Sequence, residues 1–96
     1  MRLSTRVPGD LAEILEYVAE DSLRNAERLV RKLYAQCNEV ARQPMHYRLR
    51  PELGSDARLA PAGSYVILFR ILPGFVRIER IVHGSRSLAN LLEENE

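Results

Sequence analysis

Two strand-like segments joined by a Pro-Gly pair constrain the fold of this chain most strongly. Residues 64–72 and 75–83 are rich in β-branched and aromatic side chains, and Pro73-Gly74 lies between them. Such side chains favour the pleated surface of a sheet, and a Pro-Gly pair favours a tight turn. The two segments therefore predict a β-hairpin.

Upstream of this hairpin, apolar residues recur at helical spacing. Residues 23–42 place apolar side chains at alternating four- and three-residue steps, which predicts one amphipathic helix that ends before Pro44. A shorter helix is predicted from about residue 11 to residue 20, with Asp10 as its N-cap and Glu13 in the capping-box position. Asp21-Ser22 separates the two helices, so they should form an antiparallel hairpin.

Shorter segments complete the predicted order of elements. Residues 3–7 and 57–60 predict two further strands, residues 45–56 predict a loop, and residues 86 to about 94 predict a final helix. The order β-α-α-β-β-β-α indicates an α+β fold, in which a twisted antiparallel sheet packs against the N-terminal helical hairpin. Because the last strand is apolar on both faces in places, we expect it at the centre of the sheet, partly covered on the second face.

Length and composition exclude several classes of protein. The 96 residues are expected to form one domain over the whole chain, and the net charge of +1 gives no overall attraction to nucleic acid. The single cysteine, Cys37, allows neither an intrachain disulfide nor a cysteine-rich metal site, which favours the reducing cytoplasm. No signal peptide, membrane segment, nucleotide-binding motif or zinc motif is apparent. We therefore expect no membrane association, no cofactor and no metal.

The positive charge is unevenly distributed along the chain. Residues 42–86 hold eight basic and three acidic residues, and 13 of the 14 basic residues of the whole chain are arginine. Arginine suits bidentate contacts with phosphate or carboxylate, so this segment predicts a patch for RNA phosphates or for an acidic protein, with simple solvation as the alternative. The basic residues of the second helix are expected to form a solvated face, with a partner surface as the alternative. The candidate binding residues are Arg48, Arg50, Arg58, Arg70, Arg77, Arg80 and Arg86.

Three residues near the end of the last strand are candidates for catalysis. By the alternation of a strand, Arg80 shares a face with Val76, Ile78 and Val82, so it must extend to solvent, pair with an acid such as Glu52, or line a groove. His83 and Arg86 could join it in a metal-free ribonuclease site, because His moves protons near neutral pH and Arg stabilises a phosphorane. The alternative is that His83 only bonds to the turn that follows it, and the lack of a second clear acid–base group favours this alternative.

Four motifs spread over nearly the whole chain carry a family resemblance. They are Asp10-Leu11-x-x-Ile14-x-x-Tyr17, Arg48-x-Arg50-Pro51-Glu52-Leu53, Gly63-x-Tyr65-x-Ile67 and Val76-x-Ile78-x-Arg80-Ile81-Val82-His83-Gly84-Ser85-Arg86. With these motifs the chain resembles the ParE/RelE toxins of bacterial type II toxin–antitoxin systems, and it is most similar to the ParE branch. The resemblance implies a small RelE/ParE-like fold and a cognate antitoxin whose C-terminal segment wraps the toxin.

The resemblance also implies three alternative functions. ParE members are associated with poisoning DNA gyrase, which implies a non-enzymatic toxin in a hetero-oligomer that reaches operator DNA through its antitoxin. RelE members cut messenger RNA on the ribosome, which implies a site at His83 and Arg86 with Arg58 or Arg70 in support. No Tyr follows Arg86 and no lysine-rich loop is present, which is unlike RelE. The third alternative is a non-toxic homologue that only binds an antitoxin. In each case we expect the arginines of residues 42–86, and not the helical hairpin, to face the partner.

Overall fold

A computed structural model describes residues 1–89, 91 and 92 of the chain. The second helix and the last strand have the bounds predicted from the sequence, and two short 3-10 turns interrupt the predicted loop, at Pro44–His46 and Pro51–Leu53. None of the helices within the described residues is both long enough and apolar enough to cross a bilayer. The elements are β1 (Arg2–Leu3), α1 (Val7–Ala19), α2 (Leu23–Arg42), β2 (Ala57–Ala62), β3 (Tyr65–Leu72) and β4 (Phe75–His83).

The four strands form one sheet in the order β1-β4-β3-β2. β3 runs antiparallel to both β2 and β4, whereas β1 runs parallel to β4. The prediction of a wholly antiparallel sheet is therefore wrong for β1. A parallel pair needs a long crossover connection between its strands, and here both helices and two strands lie between β1 and β4 in the chain. The predicted central position of the last strand is confirmed.

The helical hairpin packs on one face of this sheet, as predicted. The α2 stripe and the inward residues of the strands form the main core, in which Phe69, Leu33 and Ile78 are almost fully buried. Residues that alternate along a strand point to opposite faces, so the second face of the sheet carries a separate apolar set. That smaller cluster, which we call the second-face cluster, consists of Leu53, Ala57, Leu68, Val82 and Leu91.

Helix α1 begins four residues earlier than its apolar pattern indicates. It starts at Val7, and Pro8 is accommodated because a first-turn proline has no amide hydrogen bond to lose. Asp10 is therefore not an N-cap but a buried residue inside the helix, and the predicted capping box is wrong. At the next helix the prediction is confirmed, because the Ser22 hydroxyl accepts a hydrogen bond from the amide of Asn25 at 3.1 Å.

The segment after β4 does not begin the predicted final helix. Residues 86–89, 91 and 92 are in turns and irregular structure, and the rest of the predicted helix lies outside the described residues. Leu91 and Leu92 pack with the second-face cluster, and the Leu91 amide closes a turn onto the Leu88 carbonyl at 3.3 Å. The packing of these leucines against the sheet therefore determines the backbone conformation here, and the helical spacing of the sequence does not.

Cys37 lies in the core with no exposed surface, and burial raises the pKa of its thiol to about 11. In an unfolded chain half of the Cys37 thiols would be deprotonated at pH 9.0, whereas in the folded chain this point is reached only at about pH 11. Stability should therefore be independent of this group below pH 9 and fall as the pH rises from 9 to 11, by at most about 1.4 kcal/mol per pH unit. Urea unfolding at several pH values should show this slope, and Cys37→Ala should lack it. Equal slopes in the two proteins would contradict the prediction.

Candidate functional site

A β-bulge in β4 decides where its polar residues lie. Phe69 pairs with Ile78 but Leu68 pairs with Arg80, so Glu79 is an extra residue on β4. A bulge re-aims the side chains that follow it. Arg80 therefore lies on the second face of the sheet with Val82, whereas Val76 and Ile78 lie in the main core, so the prediction that all four share one face is wrong. Nothing in the sequence around Glu79 marks the bulge.

Arg80 forms a buried ion pair with Asp10 of α1. Its Nε and Nη2 atoms each donate to a different carboxylate oxygen at 2.9 Å, and Nη1 donates to the Leu91 carbonyl at 3.3 Å. Arg80 is 4% exposed and Asp10 is 7% exposed. The sequence suggested Glu52 as a partner, but Glu52 pairs with Arg50 at 2.6 Å instead. Arg80 thus ties α1 and the C-terminal segment to the sheet.

Asp10 also supplies a hydrogen-bond acceptor at the edge of β4, where no neighbouring strand continues. The Ser4 amide still donates to the Ile78 carbonyl, and the Ser4 hydroxyl donates to the Glu79 carbonyl. Beyond Ser4 the chain leaves the sheet, and the Ile81 amide instead donates to the Asp10 carboxylate at 2.9 Å. A buried amide without an acceptor would destabilise the fold. The Asp10 carboxylate therefore has two roles: it neutralises the charge of Arg80, and it accepts the hydrogen bond of the Ile81 amide at the edge of β4.

Two further candidate arginines share one buried carboxylate. Arg77 Nε and Arg70 Nη1 both donate to Oε2 of Glu79, at 2.7 and 3.2 Å, and Arg70 Nε donates to the Ser55 carbonyl. Glu79 is only 8% exposed. The bulged residue therefore holds two cations against the second face of the sheet, and part of their charge is neutralised there.

The candidate arginines before β3 are also partly engaged within the molecule. The hydrogen bond from Arg50 holds the pKa of Glu52 below its usual value. Arg58 donates to the Tyr47 carbonyl, and Arg48 is exposed. The predicted basic patch is thus largely a set of internal contacts, which a net charge count over residues 42–86 could not reveal.

His83 and Arg86 line one cleft, between α1 and the adjoining ends of β3 and β4, with a volume of about 440 Å³. Arg80 is not among its lining residues, so the structure separates it from the other two catalytic candidates. The cleft is lined mainly by Glu13, Ile14, Tyr17, Tyr65, His83, Ser85 and Arg86.

The imidazole of His83 is held by the turn that follows it, as the structural alternative predicted. The Ser85 amide donates to His83 Nδ1 at 3.1 Å, and the Ser85 hydroxyl lies 2.8 Å from the same atom. An Nδ1 that accepts from an amide leaves the proton on Nε2, by assignment from this hydrogen bond. The ring also packs edge-on against Tyr65, with 5.2 Å between centroids. His83 therefore presents an N–H donor at a defined position.

Tyr17 is a surface residue of this cleft that chemical reasoning about the sequence missed. Its side chain is 72% exposed, although Ile14 and Val18 of the same helix pack into the main core. Only its place in the first family motif singled it out. Within residues 1–89, 91 and 92, no three His, Cys, Asp or Glu side chains lie close enough to hold a metal ion. The cleft offers aromatic surface, a histidine donor, an arginine and the carboxylate of Glu13.

Comparisons with known proteins agree with this architecture. Residues 1–88 match the family described as ParE toxin of type II toxin-antitoxin system, parDE. A solved structure described as the chromosomal ParDE TA system from P. aeruginosa superposes with a TM-score of 0.74 at 19% identity, covering 85% of this chain and 91% of that one. A search of curated proteins found no match. The chain belongs to the ParE toxin family of type II toxin–antitoxin systems.

Proposed function

We propose that this chain inhibits bacterial growth by binding and poisoning DNA gyrase in the cytoplasm, and that a cognate antitoxin neutralises it. Membership of the ParE family supports a toxin, and the similar fold of a protein solved within a ParDE system supports a hetero-oligomer with an antitoxin. Such a complex would reach operator DNA through the antitoxin. The proposal assigns the target contacts to the cleft beside α1 and to the exposed arginines near it.

The cleft is the observation that carries this proposal. It joins the exposed ring of Tyr17 to Arg86 and His83, and aromatic and arginine side chains are enriched where protein partners bind. Arg80 is paired with Asp10, so it is not beside His83 to stabilise a phosphate in the way that a ribonuclease site requires. The arrangement therefore suits protein binding better than RNA cleavage.

A gyrase assay tests the proposal directly. The purified chain should inhibit DNA supercoiling or trap cleaved DNA, and Tyr17→Ala with Arg86→Gln should weaken inhibition about tenfold or more through loss of aromatic and cationic contacts. Tyr34→Ala is the matched control, because Tyr34 is also exposed but lies on α2 and does not line the cleft. Absence of any gyrase effect at high molar excess would refute the proposal.

One observation favours ribosome-dependent messenger RNA cleavage as a second candidate. Glu13 lines the same cleft as His83, so the structure brings together two groups that could act as acid and base. In a reconstituted translation reaction, this candidate predicts transcript cleavage that disappears in His83→Ala and in Glu13→Gln. If expression without antitoxin permits normal growth, both candidates give way to a non-toxic, antitoxin-binding homologue.

A further inference from the structure

Helix α2 carries a line of cations on the face that points away from the core. With 3.6 residues per turn, its four basic residues before Leu33 occupy an arc of about 100°, opposite the buried stripe. All four side chains are exposed. We call this set the basic ridge, and it consists of Arg24, Arg28, Arg31 and Lys32.

The basic ridge has no ion-pair partner within the described residues, unlike most arginines of residues 42–86. The ion pairs among the described residues join Arg42 to Glu39, Arg50 to Glu52, Arg70 and Arg77 to Glu79, and Arg80 to Asp10. None of these pairs involves a ridge residue. Glu27 is exposed and adjoins the ridge, but it forms no ion pair with Arg31 within the described part of the chain. None of the four ridge cations is therefore neutralised by an ion pair within the described residues, and together they form a run of unpaired positive charge along α2.

The basic ridge lowers the stability of its own helix. Arg24 and Arg28, and likewise Arg28 and Lys32, are like charges four residues apart, and each such pair destabilises a helix by about 0.2–0.5 kcal/mol. The first turn of α2 contains no acidic residue, although the helix dipole favours one there. Local rules of this kind are broken mainly at functional sites. This is a reason to seek a ligand for the ridge and not only a solvated surface.

We propose that the basic ridge binds the phosphate backbone of duplex DNA. Arg24 and Arg31 are separated by about 10 Å along the helix axis, and duplex DNA carries one charge per about 1.7 Å of its axis. Several phosphates are therefore within reach of the four cations at once. The positive end of the helix dipole lies at the same end of α2 and adds to the attraction for anions. The proposal does not depend on gyrase binding and uses none of the cleft residues.

The composition of the basic ridge favours DNA over other partners. Between residues 24 and 32 no apolar side chain lies within its arc, and the next residue in the same arc is the small Ala35. Protein interfaces instead place large apolar or aromatic side chains at their centre. The exposed Leu23 and Tyr34 lie outside the arc on the helical wheel. No ridge residue is aromatic, and recognition of single-stranded RNA depends on stacking of bases on aromatic rings. What remains is a cationic surface without sequence preference, which suits a regular duplex backbone.

Binding of the full chain to a fluorescein-labelled DNA duplex, followed by anisotropy at several salt concentrations from 50 mM upward, tests the proposal. Four phosphate contacts predict a slope of about −3.6 for log K against log salt concentration. Arg28→Gln with Arg31→Gln should reduce the magnitude of this slope by about 2 and weaken binding at 0.1 M salt by tenfold or more. The matched control is Arg2→Gln with Arg42→Gln, which changes net charge equally at cations that contact Phe75 and Glu39.

Three outcomes would overturn the proposal. The first is no measurable DNA binding at 50 mM salt. The second is equal weakening by the ridge variant and the control variant, which would indicate attraction by net charge alone. The third is that poly-glutamate of matched charge binds as tightly as DNA with the same dependence on the basic ridge, which would assign the ridge to an acidic protein. Circular dichroism of each variant establishes that α2 is intact, so a loss of binding cannot be attributed to unfolding.

Discussion

Asp10→Ala should destabilise the fold by about 3–5 kcal/mol, since it leaves the buried guanidinium of Arg80 without its carboxylate. The substitution also removes the acceptor of the Ile81 amide. Arg80 and Ile81 are both more than nine-tenths buried, so water cannot replace the lost carboxylate. Arg80 contacts the Leu91 carbonyl as well, so the loss should reach the C-terminal segment. Urea unfolding measures the change in free energy, and hydrogen exchange at Ile81 reports the strand edge.

Three further variants show which part of this effect belongs to the buried charge. Asp10→Asn keeps an oxygen for the Ile81 amide but lacks the charge, so it should destabilise less than Asp10→Ala. Adding Arg80→Met to Asp10→Ala should recover part of the loss, because no unpaired cation then remains buried. Glu39→Ala breaks an exposed pair of the same 2.9 Å length and should change stability by at most about 1 kcal/mol. A similar small effect for Asp10→Ala would contradict the assignment of Asp10 as a structural anchor.

Gly54→Ala should have the second largest effect, a loss of about 3 kcal/mol or more. Gly54 has φ +149°, a region that essentially only glycine adopts, and a residue with a Cβ is strained there by about 1–3 kcal/mol. An added Cβ would also lie 2.8 Å from Leu92 Cδ1 and 3.1 Å from Arg70 Nη2. Overpacking of this kind adds about 1–3 kcal/mol. The C-terminal segment should move away from the second-face cluster, which thermal unfolding and amide exchange at Leu91 can measure together.

Gly63→Ala is the matched control for this prediction. Gly63 also has a positive φ, +62°, but an added Cβ there would meet no atom within 4 Å. Only the left-handed backbone is then penalised, at roughly 1–2 kcal/mol, and the amide exchange of Leu91 should not change. If the two variants lose equal stability and the Leu91 amide stays protected in both, the close packing of Leu92 on Gly54 does not contribute to the free energy of unfolding.

The regular elements were predictable where one local pattern agreed with the tertiary structure. Helix α2 has a stripe long enough to identify its period and a serine cap, so both of its bounds match the prediction. β4 is bounded by a Pro-Gly turn and a Gly-Ser break, and its bounds also match. The start of α1 was missed because Pro8-Gly9 suggests an interruption, whereas proline is compatible with the first turn of a helix.

The candidate site was only partly predictable, because a residue count cannot show which charges are paired. His83 and Arg86 are three residues apart and do line one cleft, as their position at the end of the last strand suggests. Arg80 was placed on the wrong face because a strict period of two continues through Glu79, where the real strand has a bulge. Its partner, Asp10, is 70 residues away in the chain, and no local pattern identifies such a pair.

The sequence by itself determined the type and order of the main elements, the apolar faces they bury and the family to which the chain belongs. The elements and their apolar faces depend on periodicity and turn residues, which act over a few neighbouring positions, whereas the family rests on the match over residues 1–88. Only the tertiary structure decided the parallel pairing of β1, the bulge at Glu79 and the burial of Asp10 with Arg80. It also decided that most arginines of residues 42–86 are paired, while the cations of the basic ridge form no ion pair within the described residues. Contacts between residues far apart in the chain depend on which strand edges and side chains meet after packing, and no local sequence pattern identifies those partners.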